Sequence, residues 1–336
     1  MRRKLTAYVT ILVFFSLCLV PSLGLLVVGE SGGSVREQVE QAPRWGGEVL
    51  TETANWLGNH FALRRELITL WARLNARLGT SVEEQVILGR EGWLYFTPTL
   101  RDFTGEHLGA EELENIARHL SRLQREAEER GMTFLFTVAP NKNTLYPEYM
   151  PAWAQQRRGE GNLSLLTPYL DRYGVNYVDL TALDMPYYRT DSHWTAEGAA
   201  MAADTLLEAL GYEGGFAAGE FEGQGLHRGD LFEMLYPAAD GEETEIVYRP
   251  GFRFESLNDP NNGNAMVIRT ACADGSGRLL CWRDSFGIAL YPYLAERFET
   301  AEFRRSTDYT LPESGYDVVI LEIVERNLNT LSEVYP

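Results

Sequence analysis

The chain has 336 residues, enough for two domains or for one large α/β domain with additions, and with 45% hydrophobic and 12% aromatic residues it can bury a sizeable core. Its 31 glycines and 14 prolines are ordinary usage, which excludes collagen-like and low-complexity classes. With 30 basic against 48 acidic residues the net charge is −18; a surface that acidic repels phosphate backbones, so nucleic acid is disfavoured as a partner.

Arg2, Arg3 and Lys4 precede a run from Leu5 to Gly29 with no charged residue. About 20 apolar residues span the hydrocarbon layer as a helix, and leading positive charge keeps the N-terminus cytoplasmic. Residues 1–29 therefore read as a signal anchor, giving a single-pass protein of the cell membrane whose catalytic body is extracytoplasmic. Cleavage near Pro21-Ser22-Leu23-Gly24 is the alternative and would give a secreted protein. Residues 30–80 read as a stalk and a membrane-proximal helix. The helix carries Leu63, Leu67, Leu70, Leu74 and Leu78 at helical spacing and stops at Gly79.

Residues 81–336 read as the catalytic domain. Val86–Gly89 and Gly92–Phe96 are short strand-like pieces around a turn. A helix over Ala110–Arg130 stops at Gly131, and Met132–Val138 is a continuous apolar run, as expected of a strand buried on both faces. The cycle repeats with a helix over Leu163–Tyr173, a strand over Val175–Leu180 and a helix over Thr195–Leu210. Strands over Ala265–Arg269 and Arg278–Trp282, a helix over Gly287–Phe298 and a strand over Val318–Ile323 follow. Such alternation predicts an α/β sandwich around a mainly parallel sheet. There is no GxGxxG or GxxxxGK[ST] loop, so no cofactor is expected. Strong turn chemistry at Asp274-Gly275-Ser276-Gly277 separates Cys272 from Cys281. A disulfide between them is one reading and two buried free thiols the other.

Five histidines are present: His60, His107, His119, His193 and His227. His193 stands out, lying in Tyr187-Tyr188-Arg189-Thr190-Asp191-Ser192-His193-Trp194-Thr195, just before a helix and at the strand end where α/β sites gather. Asp191 can hold the Nδ1–H and leave Nε2 to act as base; the purely structural alternative is a pair bracing a helix start. No third ligand at sensible spacing supports a metal. The second element is Arg283-Asp284-Ser285-Phe286-Gly287, where an apolar strand runs into a helix and presents a serine at the junction. Here the structural alternative is a helix cap.

These two motifs, in this order, resemble the alginate O-acetyltransferase-like/DHHW branch of the SGNH hydrolase superfamily. Val86–Tyr95, Ala139-Pro140-Asn141-Lys142, Tyr146–Pro151, Gly229-Asp230-Leu231 and Leu321–Arg326 are similar too, so the likeness runs from about Phe61 to Leu328. It implies a three-layer sandwich with circularly permuted motif order, Asp/His before Ser, and a triad of Ser285 (nucleophile), His193 (general base) and Asp191 (orienter). Asn141 or Lys142 is a second oxyanion candidate beside the Ser285 N–H; Tyr188, Arg283 and Arg326 are substrate-contact candidates. Arg189, Lys142, Arg283 and Arg326 could together form a basic patch. The sequence departs from the branch in carrying Arg283 before Asp-Ser and Ser192 where a first histidine is usual. The resemblance also implies acetyl transfer to a polysaccharide acceptor, with the donor supplied by a membrane-bound O-acyltransferase. An acetyl esterase using the same triad and a non-catalytic polysaccharide-binding protein remain alternatives.

Overall fold

The computed structural model describes residues 63–258 and 264–334. The expected membrane span Leu5–Val28 lies outside them. Among the described residues no helix is long and apolar enough to cross a membrane. The chain divides into two units, residues 1–82 with 235–239, and residues 83–234 with 240–336. In the first, helix α1 (Arg64–Ala76) is tied to the returning segment by the Ala238 N–H, which donates to Thr69 Oγ1 at 2.9 Å.

The second unit opens with a hairpin of β1 (Val86–Leu88) and β2 (Leu94–Phe96). Helix α2 (Ala110–Glu129) follows because Leu113, Ile116, Ala117, Leu120, Leu123 and Ala127 recur every three or four residues on one buried face. Its first turn is closed by Glu112, which accepts from the Gly109 N–H at 2.8 Å, and Gly131, at φ 76°, turns the chain into β3 (Thr133–Ala139). Then come α3 (Asn162–Tyr173), β4 (Tyr177–Asp179) and α4 (Ala196–Ala209). Strands β5 (Phe221–His227) and β6 (Glu243–Tyr248) flank α5 (Asp230–Leu235) and pair as a separate antiparallel ribbon. The chain continues through β7 (Glu255–Ser256), β8 (Val267–Ala271), β9 (Arg278–Trp282), α6 (Gly287–Ala295), β10 (Thr300–Arg304), β11 (Val318–Val324) and α7 (Leu328–Val334).

The central sheet has the order β4-β3-β11-β9-β10-β8-β7. The first five strands run parallel and the last two pairings, β10–β8 and β8–β7, are antiparallel, giving a mixed, mainly parallel sheet. All seven residues of β11 are buried, because both faces of the sheet are covered. Leu135, Cys281, Phe303 and Ile320 pack with α4 and α6 on one face, while Phe134, Phe136, Trp282 and Val319 pack with α2, α3 and α7 on the other. The expected sandwich is therefore present.

The disulfide expectation is corrected. Cys272 and Cys281 are free and buried. The turn at 274–277 does not make β8 and β9 neighbours, because β10 lies between them and pairs with both. A register that puts Phe303 opposite Cys281 leaves that thiol one strand too far from the other.

Leu206 is fully buried on α4, and Leu206→Ala should cost about 2–5 kcal/mol in urea unfolding. The solvent-facing Glu208→Ala should stay within about 0.5 kcal/mol.

Candidate active site

Strands β3, β11 and β9 are adjacent and parallel, so the residues beyond them share one edge: Asn141 after β3, Glu325 and Arg326 after β11, Ser285 after β9. At about 4.8 Å per strand, these positions span roughly 10 Å. The turn presenting Ser285 is fixed by Asp284. The Phe286 N–H donates to Asp284 Oδ1 at 2.9 Å and the Val324 N–H to its Oδ2 at 2.7 Å. The Asp284 N–H in turn donates to Glu322 at 3.1 Å, and burial, with the charge of Asp284 added, pushes that carboxyl well above its ordinary value. Gly287 is required next, since a Cβ there would lie 2.6 Å from that of Arg283. Asp284 thus bonds the turn to β11, and the Ser285 hydroxyl stays at the mouth.

The opposing segment folds back on itself: Tyr187 bridges to Trp194, the Tyr188 N–H donates to the His193 carbonyl at 3.3 Å, and Thr195 caps α4 by accepting from the Gly198 N–H at 3.2 Å. This places His193 Nε2 2.9 Å from Ser285 Oγ, and His193 Nδ1 2.7 Å from Asp191 Oδ1. The three residues singled out in the sequence come together. The imidazole also leans on the Phe286 ring, centroids 4.7 Å apart.

Asp191 is 7% exposed and accepts four N–H bonds. Besides the His193 ring, the His193 backbone N–H donates to Oδ1 at 2.9 Å, and the Asp230 N–H and His227 Nε2 donate to Oδ2, each at 3.0 Å. Burial opposes ionisation, but the bonds from His193 and His227 outweigh it and hold the carboxyl well below the usual range. His227 is itself gripped on its other nitrogen by Glu245 and stacked on Tyr188, centroids 3.7 Å apart. Burial favours a neutral ring there, yet the two carboxylates prevail and raise it to about 9. Glu243 accepts the Arg189 and Thr190 N–H groups at 2.8 and 2.6 Å, and Asp230 accepts the Ser192 N–H and hydroxyl at 2.7 and 2.5 Å. His227, Asp230, Glu243 and Glu245 were not read as site residues in the sequence. Gly229-Asp230-Leu231 alone signalled them.

The ligand atoms of Asp191, His193 and Asp230 lie within 4.8 Å of one another, a spacing that could hold an ion. Each carboxylate oxygen already accepts a protein donor, so a cation would have to displace these bonds.

The other candidates separate. Lys142 is buried and its ammonium donates to the carbonyls of Tyr188, Arg189 and Asp191 at 3.1, 3.0 and 2.5 Å, bracing the loop from beneath. Burial lowers it to about 7 against the attraction of Asp191, Asp230 and Glu243. Arg283 is buried and donates to the Asp284 and Ala265 carbonyls at 3.0 and 2.8 Å. Arg189 pairs with Glu243 at 3.5 Å. Three of the four cations of the expected basic patch, Lys142, Arg283 and Arg189, are thus taken up by backbone carbonyls and Glu243. Arg326 lies over Phe96 and Phe286, 5.4 and 5.3 Å from their ring centroids. Tyr188 forms a wall, its hydroxyl donating to Glu245 at 3.1 Å and accepting from the Ile246 N–H at 3.0 Å. Asn141 is 1% exposed with neither amide atom hydrogen-bonded, while its N–H donates to Glu325 at 2.7 Å.

A family model described as "SGNH hydrolase-like domain, acetyltransferase AlgX" matches residues 86–246. The match takes in the Asp191-Ser192-His193 motif and ends before Ser285. The probable alginate O-acetylase AlgJ of Pseudomonas aeruginosa is 27% identical over 302 residues, covering 82% of this chain and 71% of that protein. Its counterpart in Pseudomonas putida is 28% identical over 206 residues, covering 56% of this chain and 51% of that one. The solved structure of Bacillus cereus PatB1 superposes with a TM-score of 0.55 at 17% identity, over 72% of this chain and 96% of that chain. That last likeness is one of fold. It matches the SGNH-like α/β architecture with its mainly parallel sheet.

A histidine raised on folding stabilises fully below its unfolded value near 6.5 and loses that contribution as pH climbs toward about 9. His227→Gln should therefore cost about 1–2 kcal/mol at pH ~6, after solvent screening is allowed for, and little above pH ~9.5. Denaturant unfolding at several pH values measures the difference.

Proposed function

We propose that this chain is an O-acetyltransferase acting on a polysaccharide through an acetyl-enzyme on Ser285. The observation that carries the reading is the relay Ser285 Oγ–His193 Nε2, 2.9 Å, and His193 Nδ1–Asp191 Oδ1, 2.7 Å, at the carboxyl edge of the sheet. The AlgJ relatives, probable alginate O-acetylases, support acetyl as the group and a glycan as its acceptor. In this reading Ser285 attacks the donor ester as His193 takes its proton, and Asp191 holds the imidazole in the tautomer that can accept it. The tetrahedral oxyanion is received by the Ser285 N–H and by the Asn141 amide, whose unpartnered, buried state fits a group awaiting its ligand. His193 returns the proton to the leaving oxygen. A sugar hydroxyl, deprotonated by the same imidazole, then attacks the acetyl carbon; the bond to Ser285 Oγ breaks and His193 returns the proton to that oxygen.

We further propose that Leu5–Val28 anchors the enzyme with this site outside the cytoplasm, beside a membrane-bound O-acyltransferase that supplies acetyl groups. The apolar run behind Arg2-Arg3-Lys4 supports that placement.

Intact-protein mass spectrometry after incubation with an activated acetyl ester tests the chemistry. Wild type should gain one acetyl group and lose it faster when oligosaccharide is added; loss unaffected by glycan would indicate an esterase. Asp191→Asn should slow acylation on the order of 10³–10⁴-fold. Ser285→Ala should take up no label, and a Ser285→Ala protein that still acetylates would remove the serine from this role.

A further inference from the structure

A cavity of about 470 Å³ opens directly onto Ser285 and His193. One side is α6, through Ile288, Ala289 and Tyr293; the other is β6 and the chain after it, through Ile246, Tyr248 and Phe252. These walls are aliphatic and aromatic. The polar groups nearest the mouth are committed to one another: Tyr188 to Glu245, Glu245 to His227, His227 to Asp191. The Tyr293 hydroxyl donates to the Ala196 carbonyl at 2.8 Å. A sugar ring entering here would bury hydroxyls against carbon, at a cost that few hydrogen bonds would offset. A bare acetyl methyl would touch only the entrance. A volume of this size suits a small apolar ligand, and its opening lies where the acyl carbonyl must sit to be attacked.

We propose that this cavity is an acyl subsite that accepts saturated chains longer than acetyl, of about four to eight carbons. The proposal rests on Ser285 being the nucleophile. The Oγ–carbonyl carbon bond forms as the ester's carbon–oxygen bond breaks. The serine proton passes through His193 Nε2 to the departing alcohol oxygen, and the chain lies between α6 and β6. Each methylene buried between those walls raises kcat/KM about fourfold.

The test is a series of p-nitrophenyl esters, acetate, butyrate, hexanoate and octanoate, with the full-length chain, read as kcat/KM and as the mass added to the protein. The expected result is a rise from acetate to at least hexanoate. In Ala289→Phe, which fills the space between the walls, the hexanoate-to-acetate ratio should fall at least tenfold. The wild-type series stands alone if that variant folds poorly. A series that is flat or falls from acetate, in protein that acetylates Ser285, would overturn the subsite and leave the acetyltransferase reading intact. So would a flat series slowed by added oligosaccharide, since the acceptor would then occupy the cavity. Labelling by long chains but not by acetate would support the subsite and overturn the acetyl reading. Absence of any Ser285 adduct would remove both.

Discussion

A carboxylate taken almost wholly out of water must be compensated, and around Asp191 that requirement shapes one whole side of the site. Its two oxygens collect four N–H donors from two separate stretches of chain, His193 beside it and His227 with Asp230 some 36 to 39 residues on. Removing water from an ionised carboxyl costs several kcal/mol, which bonds of this quality recover only when all are formed together. The loop must therefore close tightly, and it does so where Gly229 backs onto it. A Cβ on that glycine would lie 2.3 Å from the Thr190 carbonyl oxygen. Lys142 beneath the loop and Glu243 beside it satisfy the carbonyls and N–H groups that the tight path leaves over.

Ser285 and His193 are thus positioned by different physics. Ser285 rides on a strand buried on both faces, and Asp284 ties its turn to the next strand, so its position follows from the packing of the sheet. His193 depends on a polar network, with Phe286 and Trp194 packed behind it. A contact of 2.9 Å between the two side chains tolerates little error, so both supports have to be right at once.

Much of this was legible in the chain, where the signal is local. The apolar run after Gly131, the strand into Asp284-Ser285 and the helix beginning at Thr195 each write their structure within about ten residues. Asp191 and His193 are two apart and could be read as a pair. His227 could not, because its partners Asp191 and Glu245 lie 36 and 18 residues away and no periodicity links them. Strand β10 mixes Thr, Ala, Glu, Phe and Arg, with Glu302 and Arg304 neutralising each other at its edge, and so lacks the apolar run of its neighbours. Missing it made Cys272 and Cys281 look adjacent. Lys142 and Arg283 were legible as cations, but a sequence does not reveal that backbone carbonyls will use up their donors.

The β5–β6 ribbon contributes His227 and Glu245 to the network and Ile246 and Tyr248 to the cavity wall, yet it pairs only with itself and lies outside the seven-stranded sheet. Selection can therefore rework this ribbon without disturbing the strands that carry Ser285, Asn141 and the core. The arrangement lets one framework change the lining of its cavity by exchanging a single appendage, provided each replacement keeps a donor against Asp191.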